Sequence, residues 1–578
     1  MKQFIYGLVN SLWFISSLAE AQAYFRGQNQ VEATQRAYLL NHLKTQADTG
    51  FGRRYQLKTI HSVAEYQDRV PLTTYDDYQL DIEKIGQGKS QVLTQQPIQL
   101  LEPTSGSTAA TKYIPYTAQL KSEFQRAIAP WMVNTFWHHP QLMPGQAYWS
   151  ISPVMQQDQR TPGGIPIGFD DDAEYLGGIQ SRLVQTLMAV PSQVRFINDI
   201  TTFRYITLLF LLRSRHLSLI SVWNPTFLTL LLAPLKDWWP QLTIDIARGT
   251  LTPPGTLPAQ IQSQLTALNK PNARRADEIQ AAFAAHQADS DPLSLPTAAI
   301  WPSLRLISCW ADAQAARHIP EIRRLFPAVT IQPKGLLATE GFVSFPLASL
   351  SHSKRFNPSR QKNDPPIYPG AALAYRSHFF EFLPDQEPIS TPKLAHQLRQ
   401  GEQYQVILTT GGGLYRYQLQ DVVTVTGHMG KIPLLRFEGK TGYISDHFGE
   451  KLNERHVRDV LDTTLNQSQL TVTFMFLACE TNRLPATYTL FIESDTASQA
   501  DLQMLANSVE DQLQANFHYQ QCRQLGQLNA IRVFRIHKNG QQAYIATCQR
   551  RGQRLGDIKM MALDRESGWS DVFDGVWV

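Results

Sequence analysis

A loop dense in hydroxyl groups lies in the first fifth of the chain. It follows the short apolar run 98–101 and reads Thr104-Ser105-Gly106-Ser107-Thr108-Ala109-Ala110-Thr111-Lys112. Backbone N–H groups and hydroxyls in such a loop can converge on phosphate oxygens, and Lys112 adds a mobile positive charge. The Walker pattern G-x-x-x-x-G-K-[ST] is absent. Composition alone therefore leaves two interpretations open, a phosphate-binding loop and an ordinary Ser/Thr-rich turn.

A hydroxyl and a carboxylate stand side by side at the end of a second apolar run. Thr339 and Glu340 precede Gly341 and close the run that begins at Thr330. Ligands gather at the carboxyl edge of the sheet in α/β folds. A carboxylate there is a hard oxygen donor of the kind that Mg²⁺ prefers and often shares with substrate phosphates. Glu340 is a candidate magnesium ligand, and the alternative for this segment alone is a solvated acid at a turn.

Three glycines and an acid mark a third segment, residues 409–423. Gly411-Gly412-Gly413 suits a tight turn or the close approach of backbone to a ligand. The residues that follow, among them Tyr415 and Arg416, alternate as expected of a strand with two different faces. Asp421 precedes an apolar pair and is placed to bind a hydroxyl-bearing ligand such as a ribose. A salt bridge from Asp421 to Arg416, or a turn acid, is the alternative.

Composition and apolar patterning indicate the elements that position these segments. The 578 residues are 43% hydrophobic and 18% charged, which is typical of a globular protein and excludes a mainly disordered chain. The first hundred residues have a helical pattern. Between about 200 and 345, apolar runs alternate with helical patterns, which predicts an α/β sheet with some parallel pairing. Short β-like runs from about 372 to 417 predict an antiparallel or barrel-like subdomain.

The pattern changes again after Gly430, where strands and helices alternate in a smaller region. We therefore predict an α/β protein with two domains. Residues 1–432 form a large N-terminal domain with mixed α/β sheets and the β-barrel-like subdomain. Residues 433–578 form a smaller α+β C-terminal domain.

Charge and cysteine content exclude several classes of function. The 53 Lys and Arg nearly balance 49 Asp and Glu, and the net charge of +4 is spread along the chain rather than clustered. Binding to nucleic acid is therefore disfavoured. The four cysteines are far apart and form no C-x-x-C pair, which argues against a zinc site or a disulfide framework. We expect a cytoplasmic protein.

The apolar N-terminus has two interpretations. Phe4, Ile5, Leu8 and Leu12 recur at steps typical of a helix with one buried face, but the segment also imitates a signal peptide. We favour the internal helix, because polar residues such as Asn10 interrupt the run. Apolar runs elsewhere fall short of the roughly 20 residues that a membrane span needs, so no membrane span is expected.

The three chemistry-bearing segments, in this order and spacing, resemble the Gretchen Hagen (auxin-responsive) family of acyl-acid amido synthetases. That family is a branch of the adenylate-forming superfamily. Further segments, 48–53, 70–72 and 551–559, resemble the bacterial members, so the likeness extends over nearly the whole chain. It implies a large N-terminal domain that binds ATP and the acyl group, and a mobile C-terminal cap.

Roles for individual residues follow from this resemblance. It implies that the phosphates of ATP are held by Thr104, Ser105, Gly106, Ser107 and Thr108. Thr339 and Glu340 match the second motif, whose acid is linked to Mg²⁺. Asp421 matches the acid that binds ribose, with Tyr415 and Arg416 beside it.

Three lysines are candidates for the catalytic charge. Lys112 belongs to the hydroxyl-rich loop, Lys431 follows the third motif, and Lys559 resembles the late lysine that approaches the adenylate. Two anions must meet and pyrophosphate must leave, so concentrated positive charge of this kind is expected to stabilise the transition state.

The resemblance implies a two-step, ATP-dependent ligase with Mg²⁺. It would adenylate a small carboxylic acid and transfer the acyl group to an amine, such as an amino acid, and we expect a monomer or weak oligomer. An acyl-CoA ligase of the same superfamily and a degenerate nucleotide-binding protein without turnover are the alternatives.

Two departures from the family pattern bear on these alternatives. Ala109-Ala110 stands where the first motif has Gly, and Gln420 replaces the Gly of a Gly-Asp pair. A side chain costs little where φ is negative and much more where φ is positive. We expect Gln420 to narrow the site or to weaken the use of ATP.

Overall fold

In the computed structural model, the chain divides into two compact units. The first comprises residues 1–103 and 113–440, and the second comprises residues 104–112 and 441–578. The predicted boundary at 432/433 lies inside the strand Ile432–Lys440 and stays a prediction. The structure describes residues 2–578 except 106–110, 151–158, 169–184, 287–294, 349–367, 385–390, 441–443, 469, 482–484 and 552–560.

The first hundred residues are largely helical, as predicted. Hydroxyl side chains begin two of the helices, since Thr49 accepts a hydrogen bond from the Gly52 N–H and Ser62 accepts one from the Glu65 N–H. The α-helices are α1 (Lys2–Arg26), α2 (Val31–Gln46), α3 (Gly50–Arg54), α4 (Val63–Arg69) and α5 (Gln79–Gly86). The 3₁₀ turns are Gly27–Asn29, Leu57–Thr59 and Tyr75–Tyr78.

One face of helix α1 is part of the core. Tyr6, Val9 and Trp13 are buried in one cluster with Met132 and Phe136 of helix α6 (Ala118–His138). One face of the helix is therefore packed on the protein, but it is not the face that the sequence predicted. Phe4, Leu8 and Leu12 of the predicted face are 76%, 52% and 45% exposed. By length and composition alone, Gln3–Asn29 could also cross a membrane, and one third of its apolar window is buried.

A four-stranded parallel sheet follows, as the alternation of apolar runs and helical patterns predicted. Its strand order is β3-β4-β5-β6, and β4 is buried at every position, as expected when helices cover both faces. The strands are β3 (Gln146–Trp149), β4 (Leu217–Ser221), β5 (Leu306–Cys309) and β6 (Thr330–Pro333). The helices of this region are Ile200–Arg213, Pro225–Leu232, Leu235–Arg248, Ala259–Leu268, Ala273–His286, Thr297–Ile300 and Ile319–Leu325.

A seven-stranded antiparallel sheet forms the next part of the first unit. Its order is β12-β11-β13-β14-β15-β10-β9, and within the described ranges no pairing joins the edge strands β12 and β9. The antiparallel alternative of the sequence prediction is therefore confirmed for this region, and the sheet is open within those ranges. Its strands are β9 (Ser344–Pro346), β10 (Ala371–Leu373), β11 (Phe379–Pro384), β12 (Lys393–Leu394), β13 (Gln403–Thr409), β14 (Tyr417–Met429) and β15 (Ile432–Lys440).

The second unit is mixed α+β, as predicted. A five-stranded sheet of order β21-β18-β19-β20-β22 carries its main core, and β16 pairs with β17. The strands are β16 (Ile444–Ser445), β17 (Leu452–Asn453), β18 (Phe474–Glu480), β19 (Ala486–Glu493), β20 (Leu528–Ile536), β21 (Leu563–Asp564) and β22 (Gly575–Trp577). The helices are Glu454–Ser468, Gln499–Leu513, Phe517–Gln524 and Gly540–Arg550. The predicted α/β class, with a large N-terminal part and a smaller C-terminal part, is confirmed.

A buried ion pair connects the start of strand β14 to strand β11. The Arg416 guanidinium donates to both Glu381 oxygens at 3.0 Å, and its Nη1 donates to the Gln67 and Val70 carbonyls at 2.6 Å each. The side chains of Arg416 and Glu381 are only 4% and 0% exposed. Removing one partner of such a pair leaves an uncompensated buried charge.

We expect Glu381→Gln to lower the free energy of unfolding by about 3–5 kcal/mol, because the Arg416 charge would stay buried without its counter-ion. Urea unfolding followed by circular dichroism measures the change. The control is Glu438→Gln, which removes an exposed pair with Arg436 and should cost about 0–1 kcal/mol. Equal losses in the two variants would contradict the assignment.

Candidate functional site

The hydroxyl-rich loop connects two paired strands. Strand β1 (Leu100–Ser105) forms a two-stranded sheet with β2 (Thr111–Tyr116). Thr104 and Ser105 end β1, and Lys112 is half-buried on β2. Gly106, Ser107 and Thr108 lie outside the described residues, as do Ala109 and Ala110. Their phosphate-binding role stays a prediction.

Thr339 and Glu340 form the turn of a small hairpin. Strand β7 (Leu337–Ala338) pairs with β8 (Gly341–Phe342) in antiparallel register, with Ala338 opposite Gly341. The apolar run from Thr330 therefore does not end as one strand at Thr339: β6 stops at Pro333 and the hairpin follows it. The Tyr116 hydroxyl donates to the Thr339 carbonyl at 2.6 Å, which attaches the turn to strand β2.

Glu340 contacts the strand that leads to Asp421. The Tyr417 hydroxyl on β14 donates to Glu340 Oε1 at 3.4 Å, and Glu340 is 9% exposed. Burial raises the pKa of the Tyr417 phenol well above its ordinary value, and the charge of Glu340 adds to the rise. Tyr417 therefore stays protonated and donates. This contact brings the second and third sequence segments together.

The glycine loop before strand β14 packs against protein. A Cβ on Gly411 would lie 2.6 Å from Glu123 Oε1, and one on Gly412 would lie 2.7 Å from the Pro115 carbonyl. Gly413 has a φ of +94°, where a side chain is strained. The sequence predicted a tight turn or close approach to a ligand. The described neighbours of these glycines are helix α6 and the segments beside it.

The buried carboxylate of Glu123 accepts hydrogen bonds from the glycine loop and from its neighbours. It accepts from the Tyr38 hydroxyl at 2.6 Å, and from the Gly411 N–H and His378 Nδ1 at 2.9 Å each. His378 Nε2 accepts the Phe342 N–H at 3.0 Å, so the ring proton sits on Nδ1 and faces Glu123. Burial acts to raise the pKa of Glu123, but the hydrogen bonds outweigh it and hold that pKa below its ordinary value.

Tyr415 and Arg416 are directed into the core, and their predicted place beside the nucleotide stays a prediction. The Tyr415 hydroxyl donates to the Leu93 carbonyl at 2.9 Å, and its ring stacks on Phe51 with centroids 4.0 Å apart. Arg416 is held by Glu381. Arg416 has a φ of +48°, so regular strand alternation begins only at Tyr417.

A bulge in strand β14 places Asp421. From Gln418 to Val422 the strand takes four steps, while the paired strand β13 takes two, from Ile407 to Gln405. Gln420 lies inside the bulge with a φ of +62°. Bulges bend a strand and redirect the neighbouring side chain. Asp421 is 3% exposed and lies opposite Lys440 in the β15 register.

Comparison with known families identifies this arrangement. The GH3 family N-terminal domain matches residues 26–331, which is more than half of the chain. This chain belongs to the GH3 family. The GH3 family central domain matches residues 371–440, and the GH3 family C-terminal domain matches residues 455–567. The family resemblance inferred from the sequence is confirmed.

Relatives of the GH3 chain are similar along most of its length. It is 22% identical to an indole-3-acetic acid-amido synthetase, GH3.3, of Arabidopsis thaliana over 88% of this chain and 85% of the relative. It is 23% identical to a probable indole-3-acetic acid-amido synthetase, GH3.12, of Oryza sativa subsp. japonica, covering 94% and 92% of the two chains. The solved structure of the AtGH3.15 acyl acid amido synthetase in complex with 2,4-DB has the same fold, with a TM-score of 0.62, 18% identity and 96% coverage of both chains.

The three candidate lysines of this GH3 protein have different positions. Lys112 lies on β2, and Lys559 lies outside the described residues. Lys431 is exposed on the turn between β14 and β15, where its N–H donates to the Gln28 carbonyl. Met429, at the end of β14, lies eight residue steps beyond Asp421, a distance of roughly 25 Å along an extended strand. Lys431 became a candidate because it is close to Asp421 in sequence. The extended strand between the two residues places them far apart in space.

Sequence reasoning did not single out Tyr417 or Glu123. Tyr417 belongs to the third segment, but nothing in the sequence indicates its contact with Glu340. Glu123 shares the buried face of helix α6 with Leu120, Phe124 and Ala127. A carboxylate at helical spacing within an apolar stripe is a detectable sign of a buried, hydrogen-bonded acid.

We expect Gln420→Gly to raise the free energy of unfolding by up to about 1 kcal/mol. The left-handed backbone costs a non-glycine residue about 1–2 kcal/mol, which the substitution removes. Glycine has more conformational freedom in the unfolded chain, and this lowers the gain in stability by about 0.4–1 kcal/mol. Gln418→Gly, on the same strand, is the matched control and should lose about 0.5–1 kcal/mol. Urea unfolding compares the two, and similar losses for both variants would refute the strain at Gln420.

Proposed function

We propose that this enzyme is an ATP-dependent acyl-acid amido synthetase of the AMP-forming type. It adenylates a carboxylic acid and transfers the acyl group to an amine, an amino acid in our proposal. The observation that carries the proposal is the match of all three GH3 family domains, in order, along one chain. The relatives named as indole-3-acetic acid-amido synthetases support the same enzyme class.

The reaction proceeds in two balanced steps. In the first step, a carboxylate oxygen attacks the α-phosphorus of ATP, the bond to the β-phosphate oxygen breaks, and pyrophosphate leaves. In the second step, the amine nitrogen attacks the acyl carbon, the bond to the phosphate oxygen breaks, and AMP leaves as the nitrogen loses a proton. Domain closure around an adenylate generally excludes water from such an intermediate.

Asp421 is the proposed partner of the ribose hydroxyls. Asp421 follows the bulge directly and is buried at the end of the β14–β15 pair. A fixed carboxylate accepts hydrogen bonds from two vicinal hydroxyls without first having to be ordered. Gln420 stands where the family has Gly and adopts a strained, left-handed backbone in the bulge. The backbone therefore accommodates this substitution, and we keep the proposed ribose-binding role of Asp421.

The phosphates are assigned to the loop from Thr104 to Thr108, with Lys112 nearby in the chain. This assignment rests on the family motif and on the pair of strands that bounds the loop. Lys559 keeps its proposed role as the cation that approaches the adenylate. The proposed site does not include Lys431, Tyr415 or Arg416.

The residues present fit a magnesium ion that is shared with the substrate. No group of three or more His, Cys, Asp or Glu that could hold a metal occurs within the described ranges. Glu340 presents a buried carboxylate with one long hydrogen bond from Tyr417. One carboxylate plus phosphate oxygens is a usual Mg²⁺ site. When bound there, Mg²⁺ would neutralise phosphate charge, while Tyr417 fixes the orientation of the Glu340 carboxylate.

Pyrophosphate exchange tests the first step. We expect labelled pyrophosphate to enter ATP only when a suitable carboxylic acid is present, because adenylation is reversible. Amino acids should then increase AMP release, and coenzyme A should not. Stimulation by coenzyme A alone would favour the acyl-CoA ligase. ATP binding without any exchange across a broad acid panel would favour the degenerate nucleotide-binding protein.

We expect Asp421→Ala to raise the dissociation constant for AMP at least about tenfold, since a hydrogen bond to a charged group contributes about 1.5–3 kcal/mol. Calorimetric titration measures the constant. Asp421→Asn preserves the shape of this buried residue and should also raise the dissociation constant for AMP. Asp511→Ala, at an exposed helical position, should leave the affinity for AMP unchanged. Unchanged AMP affinity in folded Asp421 variants would count against the ribose role.

A further inference from the structure

Helix α1 carries an apolar stripe that faces away from the core. The stripe consists of Phe4, Ile5, Leu8, Leu12 and Ile15, and each of these side chains is at least 40% exposed. On the other helices that the structure describes, exposed large apolar side chains occur singly. Single exposed apolar residues are normal on a protein surface, whereas a contiguous patch marks an interaction site.

The opposite face of α1 is fixed to the protein. Trp13 packs edge-on against Phe136 of helix α6, with ring centroids 6.2 Å apart. Asn10 is buried and donates to the Met143 and Gly145 carbonyls at 2.7 and 3.1 Å. The helix is therefore formed before any partner arrives, so binding at the stripe requires little further ordering of the backbone.

The spacing of the stripe is that of a seam between two helices. Ile5, Leu8, Leu12 and Ile15 follow one another at steps of three, four and three residues. Apolar residues at such heptad steps form the line of contact between two packed helices. The stripe therefore fits another helix better than it fits a loop or a strand.

The stripe is the same in both directions along the helix. The order Ile-Leu-Leu-Ile is symmetric, and its spacing is symmetric about Asn10. When two such helices pack antiparallel with Asn10 at the centre, Ile5 lies level with Ile15 of the second copy. Leu8 then lies level with Leu12. A two-fold interface requires this self-complementarity, because both subunits contribute the same patch.

The size of the stripe agrees with a weak dimer. Its exposed side chains offer roughly 500 Å² per copy, which is within the range of the largest apolar patch on a typical monomer. Two copies would bury about 1,000 Å² in total, which is the lower limit for a specific interface and is typical of transient complexes. We therefore expect a dimer that dissociates on dilution.

Charge distinguishes a second copy from a lipid surface. Residues 3–19 contain no Lys, Arg, Asp or Glu. A helix that lies on a membrane is generally rich in Lys and Arg on its polar face, and the face of α1 opposite the stripe is buried in the protein. Uncharged residues such as Ser11 and Ser16 border the stripe, so two copies meet there without repulsion between like charges.

We infer that α1 is a dimerisation helix, which packs antiparallel against α1 of a second copy of this chain along Ile5, Leu8, Leu12 and Ile15. The contact belongs to the first unit and includes none of the residues assigned to the nucleotide or to Mg²⁺. Dimerisation is therefore independent of the proposed function.

Analytical ultracentrifugation of the full-length protein over a concentration series tests the dimer. The mean mass should rise from one chain to two as the concentration increases. Leu8→Glu should raise the dissociation constant of the dimer at least about tenfold, because the pair would bury a carboxylate without a counter-ion. The matched control is Met504→Glu, at an exposed apolar position of the helix Gln499–Leu513, and it should leave the dissociation constant unchanged.

Two results of this experiment would overturn the dimer. One is the mass of a single chain at the highest soluble concentration. The other is an equal dissociation constant for Leu8→Glu and the wild type, since the dimer would then form through another surface. Leu8 is exposed in the single chain, so the variant should fold, and circular dichroism checks this.

Cysteine cross-linking tests the direction of the pair and does not depend on the Leu8 variant. The four native cysteines are buried, so thiols introduced on the stripe react selectively. A mixture of Ile5→Cys and Ile15→Cys chains should form a disulfide-linked dimer under mild oxidation, and each variant alone should not. Cross-linking of each variant with itself, or none in the mixture, would overturn the antiparallel pairing.

Flotation with vesicles of phosphatidylcholine and phosphatidylserine tests the lipid alternative. We expect the protein to stay in the soluble fraction. Binding to these vesicles that Leu8→Glu abolishes, together with a single-chain mass in solution, would overturn the dimer and assign the stripe to a lipid surface.

Discussion

The buried carboxylate of Glu123 is the interaction on which the candidate site depends. It accepts hydrogen bonds from Tyr38 of helix α2, from the Gly411 backbone and from His378. Through the Phe342 N–H, His378 continues this chain of bonds to the strand after Glu340. One charge thus fixes two helices, the glycine loop and the hairpin of the second motif. A buried acid is stable only with such complete pairing.

The glycine loop is held from both sides. Glu123 binds its first glycine, and the Arg416–Glu381 pair anchors its other end to strand β11. Fixing both ends explains why the backbone tolerates a left-handed conformation at Arg416. A second left-handed residue, Gln420, lies in the bulge directly before Asp421. The same rigidity brings Tyr417 against Glu340, so that two distant sequence segments share one hydrogen bond.

The sequence by itself determined the family, the α/β class, the order of sheets and the helical start, because apolar periodicity and motif spacing are local properties of the chain. It also determined Glu340 and Asp421 as chemical candidates, since an acid after a strand or turn is visible as such. It did not determine which way Tyr415, Arg416 and Tyr417 point, because one positive φ at Arg416 shifts the faces that strand alternation assigns.

Only the tertiary structure decided which charges meet. Lys431 is close to Asp421 in sequence and far from it along an extended strand, while Glu123 and Gly411 are 288 residues apart and hydrogen-bonded. Pairing of buried groups depends on the global path of the backbone, which local residue patterns do not specify.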